Sequence, residues 1–399
     1  MTTMEKLAIH GGEPVRKEKI HYGRQYIDDA DLAAVNAVLR SEMLTTGPAI
    51  EKLEGELCRL TGAKYAVSIA NGTAALHAAC FAAGVGEGDE VITTPITFAA
   101  SANCALYCGA TPVFADIDPL TYQISPQAIR DCVSSRTKAV VAVDFMGELA
   151  DIEAIKEICR ENKLCFIEDA SHALGGTLDG QGVGSLADMT TFSFHPVKTV
   201  TGGEGGAILT NDGALYRRLS LFRTHGITRD PAEMRHAWEG PWYYEQIELG
   251  YNYRLTDFQA ALISSQLDKL PRFAARRREI VAQYDRAFSQ MPELILPQKQ
   301  PNTEAVRHLY VLQLNPERLR CTRRAFFDAL VGENVVPNVH YIPVYHHPYY
   351  ESLGYRRGLC PHGETLYERM LSIPLYYGMT DGDVGSVIAA VEKVIAAYR

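Results

Sequence analysis

The 399-residue chain is short of several things, and each shortage narrows what it can do. It has no uninterrupted apolar run of the about 18 residues that a membrane-spanning helix needs. It has no internal repeat and no low-complexity tract, so solenoid and disordered architectures drop out. It has no basic stripe. Its 39 Lys and Arg against 48 Asp and Glu give a net charge of −9 spread along the chain, which argues against nucleic acid or a membrane surface as partner. Residues Met1 to His10 lack an apolar signal core, and the nine cysteines are an odd number set mostly in apolar runs. Reduced thiols and a cytoplasmic location are the expectation. No second Cys or His pair accompanies Cys104 and Cys108, so that pair reads as packing and no metal site is expected. Nor does a Gly-x-Gly-x-x-Gly open a helix after the first strand: Gly84-Val85-Gly86-Glu87-Gly88 precedes a strand instead, which argues against a dinucleotide-binding enzyme.

What is present is an ordinary folded composition, 47% hydrophobic and 22% charged. A chain of this length exceeds the roughly 250–300 residues at which one core stops growing, so two domains are expected. From Lys64 to about Thr210, short β-branched runs alternate with alanine-rich helical stretches, the pattern of a mainly parallel sheet covered by helices. Tyr65–Ala70, Glu90–Thr94, Pro112–Asp116, Ala139–Asp144 and Cys165–Asp169 read as strands, and Ala74–Ala83 and Phe98–Tyr107 as helices. Phe258–Leu270 and Phe273–Met291 read as two long helices broken near Pro271. Beyond them His308–Leu314 has strand character, Arg323–Val331 is helical and Asp381–Tyr398 is a closing amphipathic helix. The division expected is an N-terminal arm over residues 1–24, which lacks either period and should wrap over a neighbour, a large α/β domain over 25–270, and a smaller C-terminal α/β lobe over 271–399.

Ligands in open α/β sheets bind at the carboxyl ends of strands, so the residues just after these runs come first. Asn71-Gly72-Thr73 stands between a strand and a helix. The helix start offers unpaired N–H groups, Gly72 lets the backbone approach a phosphate, and Thr73 adds a hydroxyl. Alone, the same triplet is also an ordinary N-cap turn. Phe98 is placed to stack on a pyridine ring, or to pack in a core. In Glu168-Asp169-Ala170-Ser171-His172, which closes an apolar strand, Asp169 is suited to lie beneath a pyridinium nitrogen and keep it protonated. His172 could bond a cofactor phenolic oxygen or simply be satisfied by backbone. The fourth element is Thr191–Lys198 followed by Thr201-Gly202-Gly203-Glu204-Gly205-Gly206-Ala207. Lys198 can form a Schiff base with pyridoxal 5'-phosphate (PLP) and shuttle a proton once displaced, and Ser193 is placed to donate to the same phosphate as Thr73. Order and spacing together point to a PLP enzyme with Lys198 and Asp169 as its catalytic residues.

With these motifs in view, the chain resembles the sugar-nucleotide aminotransferases of the DegT/StrS group over nearly its whole length. The resemblance rests on Leu44-Thr45-Thr46-Gly47-Pro48, Asn71–Leu76, Phe192–Lys198 with Gly203–Gly206, and Tyr251–Ala260. It implies the fold of the fold-type I PLP-dependent aminotransferases and a homodimer with active sites shared at the interface. It also implies that Asn252 reaches the cofactor phosphate of the partner, although an Asx turn would also suit an Asn in that loop. The segments His225–Asp230, Pro241–Glu245 and Val339–Tyr345 resemble one branch, the UDP-4-amino-4,6-dideoxy-N-acetyl-β-L-altrosamine transaminases of pseudaminic acid biosynthesis. That implies transfer of an amino group from L-glutamate to C4 of a UDP-linked 4-keto-6-deoxy-N-acetylhexosamine. Some relatives carry histidine in place of the lysine and are dehydratases; Lys198 is retained here, which favours transamination.

For contacts to the sugar nucleotide, Tyr22, Arg229, Arg254, His340 and Tyr345 are aromatic or cationic residues expected in loops, suited to stacking or to pairing with a diphosphate. Tyr22 and Arg254 are taken forward. A dTDP- or GDP-linked keto sugar is the alternative substrate, and a non-catalytic regulatory protein on the same fold is the alternative from another class.

Overall fold

The computed structural model describes residues 6–399. At its centre is a seven-stranded sheet. In chain order its strands are β1 (Tyr65–Ile69), β2 (Glu90–Thr93), β3 (Thr111–Phe114), β4 (Thr137–Val143), β5 (Cys165–Asp169), β6 (Met189–Ser193) and β7 (Gly206–Thr210). Their order across the sheet is β1-β7-β6-β5-β4-β2-β3. Only β7 runs antiparallel, between β1 and β6. Both faces are covered, so the strands read as continuous apolar runs rather than alternating ones. The alternation still sorts side chains: Phe166 and Phe192 face one core with Leu53, Ile155 and Ile263, while Ile167 and Ile208 face the other with Ala78, Cys104 and Phe222. The fold-type I expectation and the mainly parallel sheet hold in this arrangement.

Strand boundaries depart from the expected ones by one or two residues, and Cys165–Asp169 agrees at both ends. The helix expected from Ala74 begins at Gly72, because Asn71 in extended conformation caps it, its side chain accepting from the Ala74 amide. The helix expected from Phe98 spans Ala100–Tyr107, leaving Phe98 in the preceding loop. We label the helices used below α1 (Pro48–Thr61), α2 (Gly72–Ala82), α3 (Ala100–Tyr107), α4 (Asp257–Leu267), α5 (Leu270–Phe288) and α6 (Asp381–Tyr398). The two helices expected on either side of a break near Pro271 are α4 and α5, with the break at Asp268 and Lys269 and Pro271 just past it. Pro271 sits in the first turn of α5, where a missing N–H costs nothing.

A second core is built from the far half of α5, from α6, and from a three-stranded antiparallel sheet of Leu294–Ile295, Tyr310–Leu314 and Met370–Ile373. Helix α5 joins the two, since Leu270 packs in the first core and Ile280, Tyr284 and Phe288 in the second. Residues 6–24 are seated on the chain's own second core; Met1 to Glu5 fall outside the described residues. Leu7 and Ile20 are buried there, and Ile20–His21 pairs in parallel with Val335–Val336. The fully buried Glu333 receives the amides of Ala8 and Val15, each at 2.9 Å, together with the Lys393 ammonium. The strap then delivers Tyr22 and Gly23 to the sheet's carboxyl end. There the Leu375 amide donates to the Tyr22 carbonyl, and a Cβ on Gly23 would lie 3.6 Å from Val197, the neighbour of Lys198.

Candidate active site

The carboxyl ends of β1, β5 and β6 and the start of β7 open onto a cavity of about 900 Å³. Its walls include Gly72, Thr73, Phe98, Asp169, His172, Ser193 and Lys198, brought together from segments far apart in the chain. Tyr22 lines it as well, its ring 4.8 Å from that of His340.

The cradle beside α2 is set by glycine. A Cβ on Gly72 would come within 2.9 Å of the Ser193 Cβ, and one on Gly206 within 2.6 Å of the Asn71 carbonyl. Only bare backbone lets β6, β7 and the start of α2 converge so closely. The first amides of α2 have no partner inside the helix, and with the Thr73 and Ser193 hydroxyls they form a donor set that fits a phosphate.

Asp169 ends β5 almost fully buried, yet its carboxylate is well supplied. Ser101 in the first turn of α3 donates to Oδ2 at 2.7 Å; the Ser171 hydroxyl and amide donate to Oδ1 at 2.6 and 3.2 Å. Such donors fix the direction of the carboxylate. Lys198 follows β6 in a turn whose amide bonds back to the His195 carbonyl at 3.0 Å. Burial pushes its amine down to about 8, and the nearby charge of Asp169 partly opposes that shift.

Facing this pair is a wall of imidazoles and phenols. His172 lies 3.2 Å from the Tyr341 hydroxyl through Nε2, its Nδ1 is buried without a partner, and its ring centroid is 4.8 Å from that of His308. Burial and the Lys198 charge hold His172 and His308 well below the usual imidazole range and His340 near about 4. The wall is therefore neutral at physiological pH. Phe98 is 62% exposed at the rim, edge-on to Tyr341, free to cover a ring placed in the cavity.

Several expected contacts are not brought here. Asn252 is exposed, paired across a short bridge with Thr224, and it and Arg254 lie outside the cavity walls of this chain, although Tyr251 and Tyr253 line them. Arg229 stacks over Tyr244 instead. Tyr345 is not a loop aromatic at all: it is fully buried against Phe114 and donates to Glu364 at 2.6 Å, because Val344 and Tyr345 fill a core between the lobes. Conversely, Ser101, Ser171, His308 and Tyr341 were not singled out by the sequence. Ser171 lies inside a quoted motif and was within reach; Ser101 sits in an alanine-rich helix with no local mark.

An amine poised near neutrality, a carboxylate held by three donors, a phosphate cradle and a rim aromatic are together a fit for PLP. Comparison with known proteins agrees. Residues 25–392 match the DegT/DnrJ/EryC1/StrS aminotransferase family. The chain is 40% identical over 382 residues to the spore coat polysaccharide biosynthesis protein SpsC of Bacillus subtilis, covering 95% of this chain and 98% of that one. Among solved structures it is similar to Helicobacter pylori PseC, an aminotransferase involved in the biosynthesis of pseudoaminic acid, with a TM-score of 0.87 and 31% identity, covering 96% of this chain and 100% of PseC. It is also similar to the putative sugar aminotransferase Spr1654 of Streptococcus pneumoniae in its PMP form, with a TM-score of 0.88 and 29% identity over 95% of this chain and 99% of that one.

Proposed function

This chain belongs to the DegT/DnrJ/EryC1/StrS aminotransferase family, whose members are PLP-dependent sugar aminotransferases, and from that premise we propose that it moves the amino group of L-glutamate to C4 of a UDP-linked 4-keto-6-deoxy-N-acetylhexosamine. The observation that carries the reaction is the meeting of Lys198, Asp169 and the Gly72–Ser193 cradle in one cavity at the sheet's carboxyl end.

When bound, PLP supplies an electron-withdrawing ring that takes up the electron pair released at the donor's α-carbon. The residues do the rest. Gly72, Thr73 and Ser193 would hold the phosphate, and Phe98 would cover the ring. Asp169, aimed by Ser101 and Ser171, would keep a proton on the ring nitrogen, and His172 would offer a hydrogen bond to the cofactor's oxygen. Lys198 carries the covalent attachment and, when free, accepts a proton at the carbon losing its amino group and returns it at the carbon gaining one, a task suited to an amine near about 8. Asn252 of a second copy would complete the phosphate contacts in a homodimer with shared sites. Tyr22, on its strap, is the sugar-facing residue we favour; Arg254 would reach substrate only across that interface.

Support for the UDP-linked substrate is the likeness to PseC and the branch-like segments 225–230, 241–245 and 339–345. The likeness to SpsC, a spore coat polysaccharide biosynthesis protein, supports a second reading in which the keto sugar belongs to another polysaccharide route, and a dTDP- or GDP-linked sugar is then the alternative substrate. A panel of UDP-, dTDP- and GDP-linked 4-keto sugars with glutamate, followed by 2-oxoglutarate release, separates them. Turnover confined to the dTDP or GDP members would overturn the UDP assignment, and failure of all of them would overturn the C4 assignment.

A further inference from the structure

Behind the cavity, on the opposite face of the sheet from Asp169, two more carboxyl groups meet. Asp144 follows β4, and Glu168 is the penultimate residue of β5; both are fully buried. Parallel register sets Ala142 beside Glu168 and Val143 beside Asp169, and the Asp144 amide donates to the Asp169 carbonyl at 3.1 Å. Each carboxyl has one oxygen satisfied: Asp144 Oδ1 accepts from the Ala150 amide at 3.0 Å, and Glu168 Oε2 from the Thr190 hydroxyl at 2.7 Å. Each has one oxygen, Asp144 Oδ2 and Glu168 Oε1, sealed from solvent with no donor. The two side chains stand on one face at the ends of adjacent strands, close enough for each to shift the other's affinity for a proton.

Two carboxylates cannot face one another bare in a dry interior, where an unpaired charge is far costlier than a neutral acid. Among the described residues no cation forms an ion pair with either group. Among the described residues, the cation whose field reaches Glu168 is Lys156 on the helix Ile152–Asn162, and its ammonium is engaged by Glu153 at 3.2 Å. One proton solves the problem completely: held by either group, it turns one orphan oxygen into a donor and the other into its acceptor.

We propose that Asp144 and Glu168 share a single proton, and that this proton is a positioning device that stitches the ends of β4 and β5 together where they present Asp169 and His172 to the cavity. The stitch also anchors the loop after β4, since the Met146 carbonyl receives the His308 amide at 2.7 Å. The groups facing the pair are the Thr190 hydroxyl on β6, the Ala150 amide, Lys156 and Asp169. Burial moves both acids upward, Glu168 to about 7 and Asp144 well above the carboxylate range. A carboxyl group raised in the folded state binds a proton that the unfolded chain has already lost. Its contribution is therefore complete in acid, declines once pH passes the unfolded value near 4.5, and is gone above the folded value.

The test is Glu168→Gln, whose amide donates permanently where the shared proton donates conditionally. In urea unfolding of the PLP-loaded protein between pH 5 and 9, the ratio of wild-type to Glu168→Gln unfolding constants should climb with pH, by up to tenfold per unit. The amide variant should be the more stable at pH 9 and keep turnover within about twofold at pH 7, whereas Glu168→Met, which leaves Asp144 Oδ2 without a donor, should lose at least tenfold in kcat. Should Glu168→Met fail to fold, Asp144→Asn takes the place of the turnover comparison, with Asp144→Leu as its apolar counterpart. A pH-independent ratio, or a Gln variant weaker at every pH, overturns the shared proton. Equal kcat in the amide and apolar variants overturns the positioning role. The unfolding arm does not depend on which sugar is the substrate, so its failure is distinct from failure of the proposed function.

Discussion

Ser101 gives its hydroxyl proton to Asp169 across 2.7 Å, and Thr97 lies 2.8 Å behind Ser101 in the same chain of hydroxyls. The carboxylate we assign to the cofactor's ring nitrogen is thus aimed by the first turn of a neighbouring helix. Asp169→Asn should lower turnover by about 10²-fold or more while retaining phosphate anchoring. Ser101→Ala should cost less, about tenfold, in line with one hydrogen bond to a charged group. Steady-state kinetics on both variants, with circular dichroism to establish folding, checks the ordering; a Ser101→Ala enzyme with full kcat would remove Ser101 from the site.

Lys198 should carry the cofactor. Borohydride reduction of the loaded protein followed by peptide mapping should place the pyridoxyl group on Lys198, and a label on another lysine would refute the assignment. In the cofactor-free protein, the reactivity of this amine toward trinitrobenzenesulfonate should rise with pH about a midpoint near 8, because burial disfavours its charged form. Asp169→Asn removes the charge that supports the ammonium and should move that midpoint lower.

Gly72 leaves no room for a side chain. Gly72→Ala would force a Cβ to within 2.9 Å of Ser193 and should either displace β6 or push the start of α2 out of the cradle. The expected result is PLP affinity weakened by about tenfold or more, read by fluorescence titration; unchanged affinity would mean that the phosphate is held elsewhere.

If sites are shared between two copies, Lys198→Ala and Asn252→Ala chains should complement each other. A mixed dimer contains one site with both residues intact, so co-refolded mixtures of two inactive parents should regain activity. Mixed dimers that form yet stay inactive would reduce Asn252 to a loop residue bridged to Thr224.

The sheet was legible because buried parallel strands announce themselves as short β-branched runs, and the residues that follow them fall at one end of the sheet by geometry. Hence Gly72, Asp169, Ser193 and Lys198 could be named from local sequence and are found around one cavity. What could not be read was supplied by other parts of the chain. Tyr341 meets His172 across 169 positions, and Ser101 meets Asp169 across 68. Neither carries a local signature, since an alanine-rich helix turn and a His-Tyr step acquire their roles only through packing. Tyr345 differs for the same reason: its ring reads as a loop aromatic suited to stacking, but packing against Phe114 and a hydrogen bond to Glu364 place it inside a core.

The seat of the N-terminal strap also fixes the order in which the molecule can be finished. Ala8 and Val15 are synthesised well before their partner Glu333, which lies 325 and 318 positions downstream, and Lys393, which reaches back to the Glu13 carbonyl across 380, comes later still. The strap therefore waits while the intervening chain is made with Leu7 and Ile20 uncovered, spaced by the charged residues Arg16, Lys17, Glu18 and Lys19 that keep such a segment in water. Because Lys393 of α6 helps anchor the strap that carries Tyr22 to the cavity, a chain lacking α6 should form the sheet and the cradle yet leave Tyr22 unanchored at the cavity wall.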